Sequence, residues 1–290
     1  MKFVLVLVAP RGKVLLTEAM VERVRRSIAG GDAAWLSPGE AAEIPCMMEP
    51  EHAIIMQALD EAPVDALCVK SRGRRKAVLI ADMDSTIVTS ETLDDLAVEA
   101  GVGARVAAIT LRSMAGEIDF AQALRERVAL LKGLDIAALE RTWRRTELTR
   151  GARELVATMR AHGAVTALVS GGFTYFTGRV AAELGFDVHR ANTLLDDGSS
   201  LTGEVSEPVL DRDAKRAALH EIAETRGVKL GATMAVGDGA NDVAMIAEAG
   251  MGVAYHGKPI LNAQAKLRIE HTDLRALLFA QGYPASVFRG

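Results

Sequence analysis

The segment Ala77-Val78-Leu79-Ile80-Ala81, running at once into Asp82-Met83-Asp84-Ser85-Thr86, constrains this chain more than any other. Consecutive apolar residues with no polar face read as a strand buried on both sides, the form strands take in a parallel sheet covered by helices. Two carboxylates spaced one residue apart then stand where that strand should end. Alternate side chains of extended backbone point the same way, so Asp82 and Asp84 can face one site beyond the strand's carboxyl end, where open α/β sheets bind ligands. Taken alone, the pattern reads equally well as a strand-end turn with solvated or capping aspartates.

The rest of the chain supplies the sheet. Glu154 to Ala161 (helix), Ala164 to Val169 (strand), Phe173 to Leu184 (helix), Met234 to Val236 (strand) and a helix from about Asn241 alternate as a Rossmann-like parallel α/β sheet requires. Between 90 and 150 strand signals vanish. Leu93, Leu96, Ala97 and Ala100, then Leu124, Val128 and Leu131, recur at helical spacing and predict a helical insertion. Asp197-Gly198, inside Asn192 to Val205, signals a hairpin flap.

Ahead of this, Phe3 to Val8, Ala42 to Met48 and Val64 to Val69 read as strands, with helices from a Thr17 cap to about Ile28 and from His52 to Leu59. The expectation is a small α/β unit over 1–73 and a larger one over 74–290, carrying the insertion at about 90–150. The basic run Arg72-Gly73-Arg74-Arg75-Lys76 between them reads as a solvated linker.

Composition narrows the function. A net charge of −4 with a single tight basic run gives no broad attraction to nucleic acid. No apolar run reaches membrane length and the first residues lack a signal-peptide pattern, so the expectation is a cytoplasmic protein without membrane or nucleic-acid partners. Cys46 and Cys68 form no Cys-x-x-Cys pair and the six histidines no His-x-x-x-His cluster, which leaves zinc without a pattern. Gly237-Asp238-Gly239 is not a dinucleotide fingerprint, because Asp242 stands where the third glycine belongs.

Three more elements fall at or near ends of predicted strands: Ser170-Gly171-Gly172, Lys215 opening a helix, and Gly237 to Asp242. In this order, with a helical insertion after the first, the four elements resemble the haloacid-dehalogenase-like phosphatases. Asp82 to Thr86, Glu91-Thr92, Phe120 to Arg127, Ser170 to Phe173, Gly237 to Asp242 and Ala254-Tyr255-His256-Gly257-Lys258-Pro259 are similar to the phosphoserine phosphatase family within them, over about residues 77 to 275.

The resemblance implies a role for each residue, and elementary chemistry agrees. Asp82 would attack phosphorus as a carboxylate nucleophile, dividing hydrolysis into two easier steps. Asp84, with a pKa raised by neighbouring carboxylates, would protonate the leaving alkoxide and then activate water. Two anions meeting need a hard cation, so Asp82, Asp84 (through its main-chain carbonyl) and Asp238 would hold Mg2+, with Asp242 supporting from behind. Lys215 would bring a mobile positive charge. Ser170, Gly171, Gly172 and Asn241 would hold phosphate oxygens, the glycine turn lying before a helix.

Glu91 and Arg127 would read the ammonium and carboxylate of the substrate, and Met114 and Phe120 would form an apolar wall. Without the resemblance, Glu91 is a helix-dipole charge, Arg127 lies on a solvated face, Met114 and Phe120 are core residues, and Lys215 pairs with Arg216 on the surface.

The function implied is magnesium-dependent hydrolysis of O-phosphoserine to serine and phosphate, the last step of serine biosynthesis. Transfer of the phosphoryl group to an alcohol, and a catalytically silent amino-acid sensor, are the alternatives. The N-terminal order of elements is similar to ACT-like regulatory domains, which implies amino-acid binding or a homodimer formed through this unit; a ligand-free packing module fits the order as well. One departure is Thr149-Arg150-Gly151, where relatives commonly carry a proline, an absence expected to loosen the helix that follows.

Overall fold

The computed structural model describes residues 1–114 and 116–290, without the side chains of Met114 and Arg212. The chain opens with β1 (Phe3–Val8), α1 (Glu18–Ser27), β2 (Ala34–Ser37), β3 (Ala41–Cys46), α2 (His52–Ala58) and β4 (Asp65–Lys70). These form an antiparallel sheet in the order β2-β3-β1-β4, a βαββαβ arrangement of ferredoxin-like type. Thr17 caps α1 by accepting the Met20 N–H at 3.2 Å. The unbroken apolar run of β1 has a simple cause. Leu5 and Leu7 pack under α1 and α2, while Val4, Val6 and Val8 face the larger unit and share its core, so both faces of the strand are covered.

The larger unit begins with β5 (Val78–Ala81) and continues through α3 (Thr92–Glu99), α4 (Gly103–Met114), α5 (Phe120–Ala129) and α6 (Ala137–Arg145). It then runs α7 (Ala152–Ala161), β6 (Val165–Phe173), α8 (Thr174–Leu184), β7 (Val188–Asn192), β8 (Leu194–Asp196), β9 (Leu201–Val205) and α9 (Arg212–Thr225). The last elements are β10 (Thr233–Gly237), α10 (Val243–Glu248), β11 (Met251–Tyr255), α11 (Pro259–Asn262), β12 (Leu267–Ile269) and α12 (Ala276–Ala280). Six of the strands make a parallel sheet ordered β12-β11-β10-β5-β6-β7.

Every residue of β5 is fully buried, and each Leu or Ile removed from water there contributes about 1.5–3 kcal/mol. The sheet order places the site. From β5 the chain passes to β6 on one side and returns as β10 on the other, so the strand order switches at β5, where a crevice opens beyond the carboxyl ends. Ala81 pairs with both Val236 and Leu168, which brings Asp82, Asp238 and Ser170 to the same edge.

Helices α3 to α6 form the insertion, attached at one narrow place. Thr89 N–H donates to the Glu147 carbonyl and Thr149 N–H to the Ile87 carbonyl, both at 2.9 Å, so its two connecting strands are stitched together as they leave the sheet. The β8-β9 hairpin props the insertion from outside: Gly133 N–H donates to the Leu201 carbonyl at 2.8 Å and Leu201 N–H to the Leu134 carbonyl at 2.9 Å. Its turn is fixed by Asp197, which accepts from the backbone of Ser199 and Ser200.

The structure departs from sequence reading in two respects. Strands β2, β7, β11 and β12 were not expected; β2, β7 and β12 lie at sheet edges, and β12 is three residues long. The basic run is a solvated linker only in part: Arg72, Gly73 and Arg75 are exposed, while Arg74 and Lys76 are drawn in. Lys76 is 9% exposed and donates to the Gly73 and Gly231 carbonyls at 3.0 and 2.7 Å, Arg74 pairs with Glu43 at 2.7 Å, and Arg75 lies over the Tyr283 ring. Tertiary partners took up charges that the sequence left to water. Finally, α7 starts at a glycine with φ 83 and no side-chain cap, and the Leu274 N–H ties the preceding Arg150 carbonyl at 3.1 Å.

Candidate active site

The site is assembled from four chain segments at the β5, β6 and β10 ends and from the insertion above them. Strand β5 stops at Ala81, and Asp82 continues the alignment with its N–H on the Val236 carbonyl at 3.0 Å. The chain then turns sharply, with Ser85 at φ 53. The turn, more than strand alternation, sets where Asp84 points. Its Oδ1 accepts the Thr92 N–H at 2.9 Å and its Oδ2 the Ser170 hydroxyl at 3.2 Å.

Asp82 is 4% exposed, with Oδ1 accepting the Met83 N–H at 2.8 Å and Oδ2 lying 2.7 Å from the Lys215 ammonium. Asn241 Nδ2 approaches the same Oδ2 at 3.4 Å. Lys215 reaches down from the first turn of α9, is 1% exposed, and also meets Asp242 Oδ1 at 2.7 Å. The expectation of a mobile lysine is corrected: two buried carboxylates pin it. Burial opposes its charge, but the two carboxylates outweigh burial and hold its pKa above the ordinary lysine value.

Asp242 is fully buried and uses its remaining oxygen on the N–H groups of Asp238 and Gly239, at 3.1 and 3.0 Å. It is the keystone of the loop that presents Asp238. Burial raises the Asp238 pKa, as does Asp82 nearby. Asp84 keeps a little accessible surface but lies deep among protein atoms; burial, then Glu91, push its carboxyl up to about 7. A proton can therefore reside on Asp84 in the neutral range while Lys215 keeps its charge beside Asp82.

Asp82, Asp238 and Asp242 bring carboxylate oxygens within 4.8 Å of one another. An all-oxygen, anionic donor set fits a hard divalent cation. Asp242 has no exposed surface and is turned onto Lys215 and the backbone of its own loop, whereas Asp82 and Asp238 keep 4 and 5% exposure, so these two are the carboxylates that could hold such an ion. The Asp84 carboxylate is turned toward Thr92 and Ser170, which leaves its main-chain carbonyl as the ligand it could offer.

Ser170 is 1% exposed and its Oγ accepts the Gly172 N–H at 2.9 Å. The turn sits inside β6, and α8 starts only at Thr174, so these amides precede the helix by a few residues. The Phe120 ring covers this turn so closely that a Cβ on Gly171 would stand 2.8 Å from its Cζ. Glycine at 171 is what lets the insertion settle there.

Of the expected recognition residues, Glu91 is half exposed and accepts the Ser85 hydroxyl at 2.9 Å. Arg127 is partly buried, donates Nε to the Ala123 carbonyl at 3.2 Å and enters no ion pair among the described residues. Burial lowers its pKa, against the support of Asp94 and Glu91. The Met114 side chain lies outside the described residues.

Two residues escaped sequence reading. Lys258 spans from Asp238 Oδ2 at 2.9 Å to Glu91 Oε1 at 3.2 Å, and Asn192, 2% exposed, holds the Gly171 carbonyl at 2.9 Å and the Leu210 N–H at 2.7 Å. Lys258-Pro259 had been legible only as part of a resemblance, with no chemistry attached, and an asparagine at a strand end carries no signal of its own.

Comparison with known proteins agrees with this geometry. The haloacid dehalogenase-like hydrolase family matches residues 79–247. A phosphoserine phosphatase of Archaeoglobus fulgidus is 44% identical over 73% of this chain, which spans 62% of that protein's length. One from Streptococcus thermophilus is 46% identical over 69% of this chain and 93% of its own length. Among solved structures, the phospho-aspartyl intermediate analogue of a phosphoserine phosphatase is 42% identical, with a TM-score of 0.66 over 71% of this chain and 98% of that one. With its motifs, fold and site in agreement, this chain belongs to the haloacid dehalogenase-like hydrolases, in their phosphoserine phosphatase group.

Proposed function

We propose that this protein hydrolyses O-phosphoserine to serine and inorganic phosphate, through an aspartyl-phosphate on Asp82 and with magnesium. The observation that carries the reading is the division of labour between two carboxylates on one turn. Asp82 stands 2.7 Å from the Lys215 ammonium, while Asp84 is pushed up to about 7 by burial. In step one an Asp82 oxygen forms a bond to phosphorus as the seryl C–O–P bridge breaks at phosphorus, and the departing serine oxygen takes the Asp84 proton. In step two Asp84 takes a proton from water, the hydroxyl adds to phosphorus, and the Asp82 carboxylate is released with inorganic phosphate.

Lys215 places fixed positive charge beside the nucleophile and the transferring group. Magnesium, held by Asp82, Asp238 and the Asp84 main-chain carbonyl, would supply charge neutralisation between the phosphate and the nucleophile. Ser170, Gly171, Gly172 and Asn241 are read as phosphate-positioning groups. Glu91 and Arg127, opposite in sign and close enough for Glu91 to support the Arg127 charge, suit an amino acid's ammonium and carboxylate. Phe120 closes the apolar side and excludes water.

A phosphomonoester panel with and without chelator tests this reading. Turnover should be highest on phosphoserine and lost on chelation; equal rates on phosphomonoesters without the amino-acid head would sink the substrate assignment. The N-terminal unit, 1–73, is read as ACT-like, with amino-acid binding or self-association as its role; its βαββαβ order supports this. Sedimentation with and without serine tests it, and a monomer indifferent to serine would remove both roles.

Among the described residues no helix is long and apolar enough to cross a membrane.

A further inference from the structure

Asp65 opens β4 in the N-terminal unit, is 4% exposed, and points into the larger unit. Both of its oxygens are taken by one turn there. Oδ1 accepts the N–H groups of Glu270 and His271 at 2.9 and 3.1 Å; Oδ2 accepts the Thr272 N–H at 2.9 Å, the Thr272 hydroxyl, and the His271 N–H at 3.3 Å. A buried carboxylate is costly to keep, and the units have other ties: Arg275 with Glu40 and Arg74 with Glu43, both at 2.7 Å, and the apolar seam of Val4, Val6 and Val8. Asp65 is therefore one tie among several between the units.

The turn it grips leads to the reaction. The Thr272 carbonyl lies 3.1 Å from His256 Nε2, and a carbonyl can only accept, so that nitrogen carries the proton. His256 also donates its N–H to the Ile269 carbonyl at 2.8 Å and sits at φ 44. A left-handed residue with a Cβ costs about 1–3 kcal/mol and persists only where its surroundings over-determine it. Two residues on, Lys258 donates its N–H to the Asp238 carbonyl at 2.7 Å, and its ammonium bridges Asp238 and Glu91.

We propose that Asp65 is a positioning residue for the active site: by fixing the 270–272 turn it holds His256 in the conformation that aims Lys258 between Asp238 and Glu91. The N-terminal unit thereby takes part in the reaction of the larger unit. The kinetic arm of the test rests on the proposed phosphatase activity; the exchange arm does not.

The experiment is a double-mutant cycle. Asp65→Asn keeps the shape but replaces acceptors with a donor, and should lower kcat/KM for phosphoserine about tenfold. In a Lys258→Met background the same change should alter kcat/KM by less than about twofold, because the pathway it served is gone. Losses that multiply, or a kinetically normal Asp65→Asn, overturn the proposal. Hydrogen exchange at the Lys258 amide should accelerate in Asp65→Asn while β5 amides stay protected; unchanged protection at Lys258 also overturns it. Should Asp65→Asn fail to fold, His256→Gly, which removes the ring from an exposed position and relieves φ 44, must show the same loss and the same dependence on Lys258. A wild-type protein inert toward every phosphomonoester would overturn the proposed function, and the exchange result would still decide the role of Asp65.

Discussion

The floor of the site and the cap above it differ in how their residues are held. Asp82, Lys215, Asp238 and Asp242 are between 0 and 5% exposed, and each has at least two polar partners. On the cap, Glu91 is about half exposed, and Arg127 has one weak intrahelical bond. On the proposed reading, chemistry rests on groups that cannot move without breaking a buried network, and recognition on groups free to adjust to a ligand. Such a division suits an enzyme whose charge stabilisation must be in place beforehand while its insertion opens and closes.

The comparison is open to direct attack. Asp82→Asn removes the nucleophile and should lower turnover on the order of 10⁴-fold or more with the fold retained; near-normal rates would take the chemistry away from the floor. Lys215→Met leaves Asp82 and Asp242 buried without their shared cation, which should cost about 3–5 kcal/mol in urea unfolding besides activity. A cost below about 1 kcal/mol, typical of exposed pairs, would mean that the floor is no more rigid than the cap.

On the cap side, Arg127→Ala should lower kcat/KM for phosphoserine about 10- to 100-fold, the value of a charged hydrogen bond, with stability nearly unchanged. A phosphomonoester lacking the carboxylate should lose little. Equal losses on both substrates would remove Arg127 from recognition. The smallest effect is expected from Gly171→Ala, whose Cβ would displace the Phe120 ring from 2.8 Å; a few-fold loss of kcat through poorer closure should appear, and a change in KM alone would argue that the ring contacts substrate without closing the site.

Legibility followed the same division. The floor carboxylates could be read from the chain because they stand at strand ends: Asp82, Asp84 and Asp238 were expected there, Lys215 on its helix was expected only through the resemblance, and the structure brings all four to one edge. The cap residues were expected only through a resemblance, since a glutamate at a helix start and an arginine on a helix have ordinary explanations. Lys258, Asn192 and Asp65 were missed. Each acts through partners 18 to 207 residues away in sequence, and no local pattern encodes such a contact.

By itself, then, the sequence determined the buried strand, the helical insertion and the placement of carboxylates at a strand end, because apolar periodicity and strand geometry act within a few residues. Only the tertiary structure decided that Lys215 is pinned rather than mobile and that Arg74 and Lys76 of the basic run pack instead of being solvated. It alone also joined the N-terminal sheet to the active-site loop. Those outcomes depend on which distant groups compete with water for each charge, and that competition is settled when the units close on one another.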